Sequence, residues 1–165
     1  MKQALTMLAL VSDYELPPPP RIMGVLRAEW RVHATALDDL KLIGDSLDWL
    51  CDTKDCVVWS KDRSFHGPVM NIGSVRLNRK KMAMNCLKRL GEEVHRDLLA
   101  DGLDMRIDDE KNLHVRISLS GLVRGEVKLS KLGASETSVK GTFKIESYPG
   151  DNHLEIITDL VRGMT

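Results

Sequence analysis

Six cations, Arg76, Arg79, Lys80, Lys81, Lys88 and Arg89, fall within fourteen residues with no acid among them. Such a density suits an anionic partner: nucleic-acid phosphate, an acidic nucleoprotein or an anionic lipid surface. Asn78 is a good N-cap. Arg79, Lys80 and Lys81 then occupy the first turn of a helix, where the macrodipole disfavours positive charge. Residues that work against local helix stability point to a binding role. No aromatic residue is interleaved, so any nucleic-acid contact would be to the backbone and not by base stacking.

No spacing in the chain assembles a catalytic group. His33, His66, His95, His114 and His153 fall on expected solvent faces or in loops, and none forms an H-x-x-x-H pair. Asp38/Asp39, Glu92/Glu93 and Asp108/Asp109 lie at helix ends or turns, where a solvated charge is the ordinary role. There is no P-loop, G-x-G-x-x-G or G-x-S-x-G. Asp104, Asp108 and Glu110 lack EF-hand spacing and its central glycine. The reading is a protein that is not an enzyme, with no catalytic residue, cofactor, metal or small-molecule substrate. A hydrolase or transferase would need a nucleophile–base pair that is not recognisable here.

Cys51-x4-Cys56 is not a zinc-knuckle spacing, and Cys86 has no partner pair. An odd, sparse set of cysteines suits reduced thiols in a cytosolic compartment. The composition, 42% hydrophobic and 29% charged, is that of a folded domain. The 24 basic and 24 acidic side chains cancel, so binding to a polyanion must come from a local patch. No run approaches the ~18–20 apolar residues that span a bilayer. Ala4–Val11 lacks a cleavage site and reads as an arm, not a signal core.

The elements that carry these residues follow from periodicity. Residues 22–34 alternate, with Ile22, Gly24, Leu26, Ala28, Trp30, Val32 and Ala34 on one face and Arg27, Glu29, Arg31 and His33 on the other. Thr35, with Asp38 three residues on, starts a helix that ends near Cys51. Cys56–Ser60 reads as a short buried strand, and Val69–Leu77 as a weaker one. A long helix runs from Asn78, interrupted at Gly91, to a C′ glycine at Gly102. Three antiparallel strands follow: Leu113–Leu119, Val123–Leu129 and Val139–Ile145, each with one wet face. Residues 153–162 close the chain as a strand or helix. The fold class is a single α+β domain, an antiparallel sheet packed against two main helices, over residues 21–165.

Ahead of it, residues 1–20 form an arm and spacer. Pro17, Pro18, Pro19 and Pro20 are a stiff polyproline II run. It satisfies P-x-x-P, but Tyr14 precedes it, so there is no P-P-x-Y. Met7 and Leu8 are apolar groups that could dock on this body or on a neighbour's.

This order of parts resembles the matrix proteins of rhabdoviruses, in particular a short plant- or invertebrate-virus member. The resemblance is carried by D-Y-E-L-P-P-P-P, L-R-A-E-W-R-V-H-A and L-D-D-L-K-L-I-G-D-S-L-D-W-L, and is best over Leu16–Leu50. It implies a structural protein that self-assembles, condenses the nucleocapsid and bridges it to the envelope during budding. It assigns Tyr14, Leu16 and Pro17–Pro20 to homo-oligomer contacts, and Arg76–Arg89 to nucleocapsid or membrane. The implied location is the virion, the host cytoplasm and the inner face of the host membrane. The basic cluster leaves an alternative open: a monomeric nucleic-acid or nucleoprotein-binding adaptor.

Overall fold

The computed structural model describes residues 24–63, 66–131 and 135–165. The arm and proline run, with Met7, Leu8, Tyr14, Leu16 and Pro17–Pro20, lie outside these. Elements run β1 (Val25–Ala34), α1 (Leu40–Cys51), β2 (Val58–Asp62), β3 (Met70–Leu77), α2 (Lys80–Arg89), α3 (Glu92–Asp101), a 3₁₀ turn (Asp104–Arg106), β4 (Asn112–Ser118), α4 (Leu119–Val123), β5 (Ser138–Ile145) and α5 (His153–Met164). This is the expected single α+β domain. All neighbours in its five-stranded sheet, ordered β2-β3-β1-β5-β4, are antiparallel.

β1 is the centre of the sheet, and its alternation gives it one buried face: Ala28, Trp30, Val32 and Ala34 are buried. The phase breaks at its start. A bulge between Val25 and Arg27 buries Val25 and turns Leu26 outward, opposite to its expected face. Trp30 faces Gly141 across the β1–β5 ladder. A Cβ on Gly141 would lie 2.5 Å from Trp30 Cζ3, so the bare glycine leaves the space that the indole fills. The same indole meets Phe143 edge-on at 5.7 Å and donates from Nε1 to Cys86 Sγ at 3.1 Å.

The helices cover this inner face. Asp39, not Thr35, caps α1, accepting from the N–H groups of Lys41 and Leu42. Thr35 and Asp38 close a separate turn, in which Asp38 Oδ2 accepts from Thr35 N at 2.6 Å. The expected long helix is two, broken at Gly91 with φ 92°. Arg79, not Asn78, is the N-cap of α2, and it makes no side-chain cap bond. β2 begins two residues after Cys56 and is an exposed edge strand, not a buried one. Residues 123–129 form no strand: the short helix α4 takes up Val123, and Leu129 adds only a single bridge to Ile117. The closing segment is a helix, capped by Asn152.

Candidate functional site

Among the described residues no helix covers the opposite face of the sheet, and its side chains follow from the register. Arg116, Lys140, Arg31 and Ser74 form one row across β4, β5, β1 and β3. His114, Thr142, Glu29 and Arg76 form the next. Lys144 and Arg27 are paired in a third. Strands β1, β3, β4 and β5 thus present the cations Arg27, Arg31, Arg76, Arg116, Lys140 and Lys144 against one carboxylate, Glu29. Arg27, Arg31, Arg116 and Lys140 are exposed and make no ion pair among the described residues. Glu29 sits 3.9 Å from Arg76, too weak and exposed a pair to neutralise the face. A hollow of about 360 Å³ opens at the centre, lined by Glu29, Arg31, Arg76, His114, Lys140 and Thr142 among others. No Phe, Tyr or Trp side chain lies on this face of those four strands.

One rim is fixed by Asp108. Its carboxylate accepts from Asn112 N at 3.0 Å and Glu110 N at 2.9 Å, and holds His114 Nε2 at 2.7 Å. Burial alone would raise its pKa. The hydrogen bonds from Asn112, His114 and Glu110 outweigh that and hold it at about 2.

The six cations singled out in sequence do not stay together. Arg76 lies on the open sheet face, in register with Glu29. Lys80 pairs with Glu146. Arg89 is a packing residue: Nη2 donates to the Trp49 carbonyl at 2.6 Å, and its guanidinium lies 5.2 Å from the Trp49 ring centroid. Arg79, Lys81 and Lys88 are exposed along α2. The cations of β1, β4 and β5 were visible in the sequence as wet strand faces. Their convergence was not, because it depends on β5 pairing between β1 and β4.

Other polar groups are structural. His95 is buried, not solvent-facing, and its Nε2 donates to the Leu87 carbonyl at 2.8 Å. Ser118 caps α4 and shares Glu136 with Ser120. The three cysteines are free. Hydrogen bonds with Cys56 and Cys86, with burial, push the Cys51 thiol well above its ordinary range. The Cys56 thiol donates to Asp48 Oδ1 at 3.0 Å. Among the described residues no group of three or more His, Cys, Asp or Glu is disposed to hold a metal ion.

A family model described as RNA binding matches residues 27–145, more than half of the chain. No curated protein matches. Three solved archaeal structures share the fold. A DUF54 protein from Methanothermobacter thermautotrophicus is 18% identical, with a TM-score of 0.68, covering 86% of this chain and 98% of its own. A DUF54 protein from Archaeoglobus fulgidus is 22% identical, with a TM-score of 0.66, covering 86% and 100%. One from Sulfolobus solfataricus is 18% identical, with a TM-score of 0.59, covering 84% and 99%.

These matches overturn the rhabdovirus matrix resemblance. It rested on an order of elements, arm, strand, helix and sheet, that many α+β domains satisfy. With it fall the structural matrix function, virion assembly and budding, the nucleocapsid and membrane partners, homo-oligomerisation inferred from the arm, and the virion and host-membrane location. Among the described residues no helix is long and apolar enough to cross a membrane. The family match spans β1 through β5, the strands that build the basic face, and the chain belongs to this RNA-binding family.

Proposed function

We propose that this protein binds RNA through the open face of its sheet, as a binding module and not an enzyme. The observation that carries the reading is the row Arg31–Lys140–Arg116, three cations on adjacent strands with no carboxylate among them. Neighbouring strands lie ~4.8 Å apart, so the row concentrates positive charge over ~10 Å. Arginine and lysine so arranged suit phosphate oxygens, and arginine can engage them in bidentate fashion. Net neutrality of the whole chain is compatible with this, since most of the acids lie off these four strands, Glu29 being the carboxylate on their open face. The face's carboxylate, Glu29, lies between Arg76 and Thr142 in its row, and it forms no nucleophile–base hydrogen bond among the described residues.

Fluorescence anisotropy of a labelled stem-loop RNA against salt concentration tests the proposal. Binding should weaken log-linearly with salt, and Lys140→Gln should reduce the slope by about 0.7–0.9, the loss of one phosphate contact. A slope that Lys140→Gln leaves unchanged, with affinity unaltered, would count against it.

A further inference from the structure

Resting on the RNA-binding reading of the same face, we infer that its ligand is double-helical RNA, held across the minor groove, and that the central row reads the 2′-hydroxyls. Proteins that bind single-stranded RNA through a sheet stack bases on aromatic side chains. Here the outward positions of β1, β3, β4 and β5 carry no Phe, Tyr or Trp: Trp30 and Phe143 both point into the core, and His114 is held by Asp108. The flat groups on this surface are the imidazoles of His33 and His114 and the arginine guanidiniums, so it lacks the Phe, Tyr or Trp platform on which such sheets stack bases.

Their arrangement in rows fits a duplex. Arg31, Lys140 and Arg116 form one cationic row, and Arg27 with Lys144 forms another. Lys140 and Lys144 are four steps apart along β5, about 13 Å at ~3.3 Å per residue. Between the two rows lie His114, Thr142, Glu29 and, beyond Glu29 on β3, Arg76, around the hollow. An A-form helix has a wide, shallow minor groove, edged by the phosphates of two strands and lined by 2′-hydroxyls. Two cationic rows suit the two phosphate edges. The groups between them suit the hydroxyls: the Glu29 carboxylate accepts from a 2′-OH, and the Thr142 hydroxyl donates or accepts. Carboxylate at the centre of a basic face would weaken binding to phosphate alone, but it suits a face that must contact hydroxyl donors.

The test compares three labelled probes by anisotropy at one salt concentration: an RNA duplex of about 16 base pairs, a DNA duplex of the same sequence, and an unstructured single-stranded RNA of the same length. The expected order places the RNA duplex at least about tenfold tighter than either of the others, roughly the worth of one or two added hydrogen bonds to charged partners. Thr142→Val, which keeps shape and strand propensity, should narrow the RNA-to-DNA duplex ratio without changing the salt slope. Thermal melts of the variant, matching those of the parent, establish that it is folded. Single-stranded RNA bound as tightly as the duplex and weakened by Lys140→Gln would overturn the duplex inference and leave the RNA-binding reading standing. Failure of all three probes would overturn both. Equal affinity for RNA and DNA duplexes would overturn the 2′-hydroxyl reading and with it the inference.

Discussion

Arg31 and Lys140 stand directly opposite each other across the β1–β5 ladder. Arg116 faces Lys140 from its other side. Like charges directly opposed in a sheet destabilise it by a few tenths of a kcal/mol to about 1 kcal/mol. The row is therefore a local loss of stability in the free protein, which a polyanion bound there would offset.

Lys140→Glu tests that trade. It replaces two repulsive pairs with two attractive ones and should stabilise the free protein by about 0.5–1 kcal/mol, or roughly 2 °C in Tm at low salt. The same variant should lose most of its RNA affinity. Differential scanning fluorimetry and anisotropy on one preparation read both effects. A variant that melts lower than the parent would contradict the electrostatic account of the row.

Gly141→Ala acts from the other side of the same strand. The added methyl meets Trp30 Cζ3 at 2.5 Å and Cη2 at 2.7 Å. The indole is held by Phe143 and Cys86 and has little room to yield. A loss of about 1–3 kcal/mol is expected from overpacking, measured by urea denaturation. RNA affinity of the folded fraction should be unchanged, because this Cβ points to the core.

Much of the fold was legible in the residues. The alternation of Ala28, Trp30, Val32 and Ala34 gives β1, and that of Leu113, Val115 and Ile117 gives β4, because a buried face imposes period two. Local chemistry was less decisive at the ends. Asp38 could cap a helix or close a turn, and Asp39, one residue later, caps α1 instead. Leu26 followed the alternation on paper, but the bulge at Val25/Arg27 reverses it. The candidate site was legible only in pieces. Arg31, Arg116 and Lys140 are far apart in sequence and become neighbours through strand order, which periodicity does not encode. A run such as Arg76–Arg89 is easier to see; the fold sends Arg76 to the sheet face, Lys80 to an ion pair and Arg89 to helix packing, and leaves Arg79, Lys81 and Lys88 exposed at α2.

Arg89→Ala separates those roles. Losing the bond to the Trp49 carbonyl and the contact with the Trp49 ring should cost about 0.5–1 kcal/mol, seen as a lower urea midpoint. RNA affinity should stay at the parent value. A fall in affinity as large as that of Lys140→Glu would move the binding surface to α2.

Asp108 gives a pH dependence with a defined sign. Its pKa in the fold, about 2, lies below the ordinary carboxylate value of about 3.9. A depressed pKa stabilises the fold above the unfolded value, and the contribution is lost as pH falls through the folded value. Asp108→Asn should therefore be less stable than the parent above about pH 4, with the gap closing as pH approaches about 2. Urea midpoints over a pH series check this. A gap of constant size down to the lowest pH would show that the charge of Asp108 is not what matters.

Whether the open sheet face is the RNA surface is read by titrating ¹⁵N-labelled protein with duplex RNA and mapping amide shift changes. The account expects the largest changes at Arg27, Arg31, Arg116, Lys140 and Thr142, with α5 unmoved. Changes confined to α2, from Lys80 to Arg89, with β1, β4 and β5 unperturbed, would contradict it.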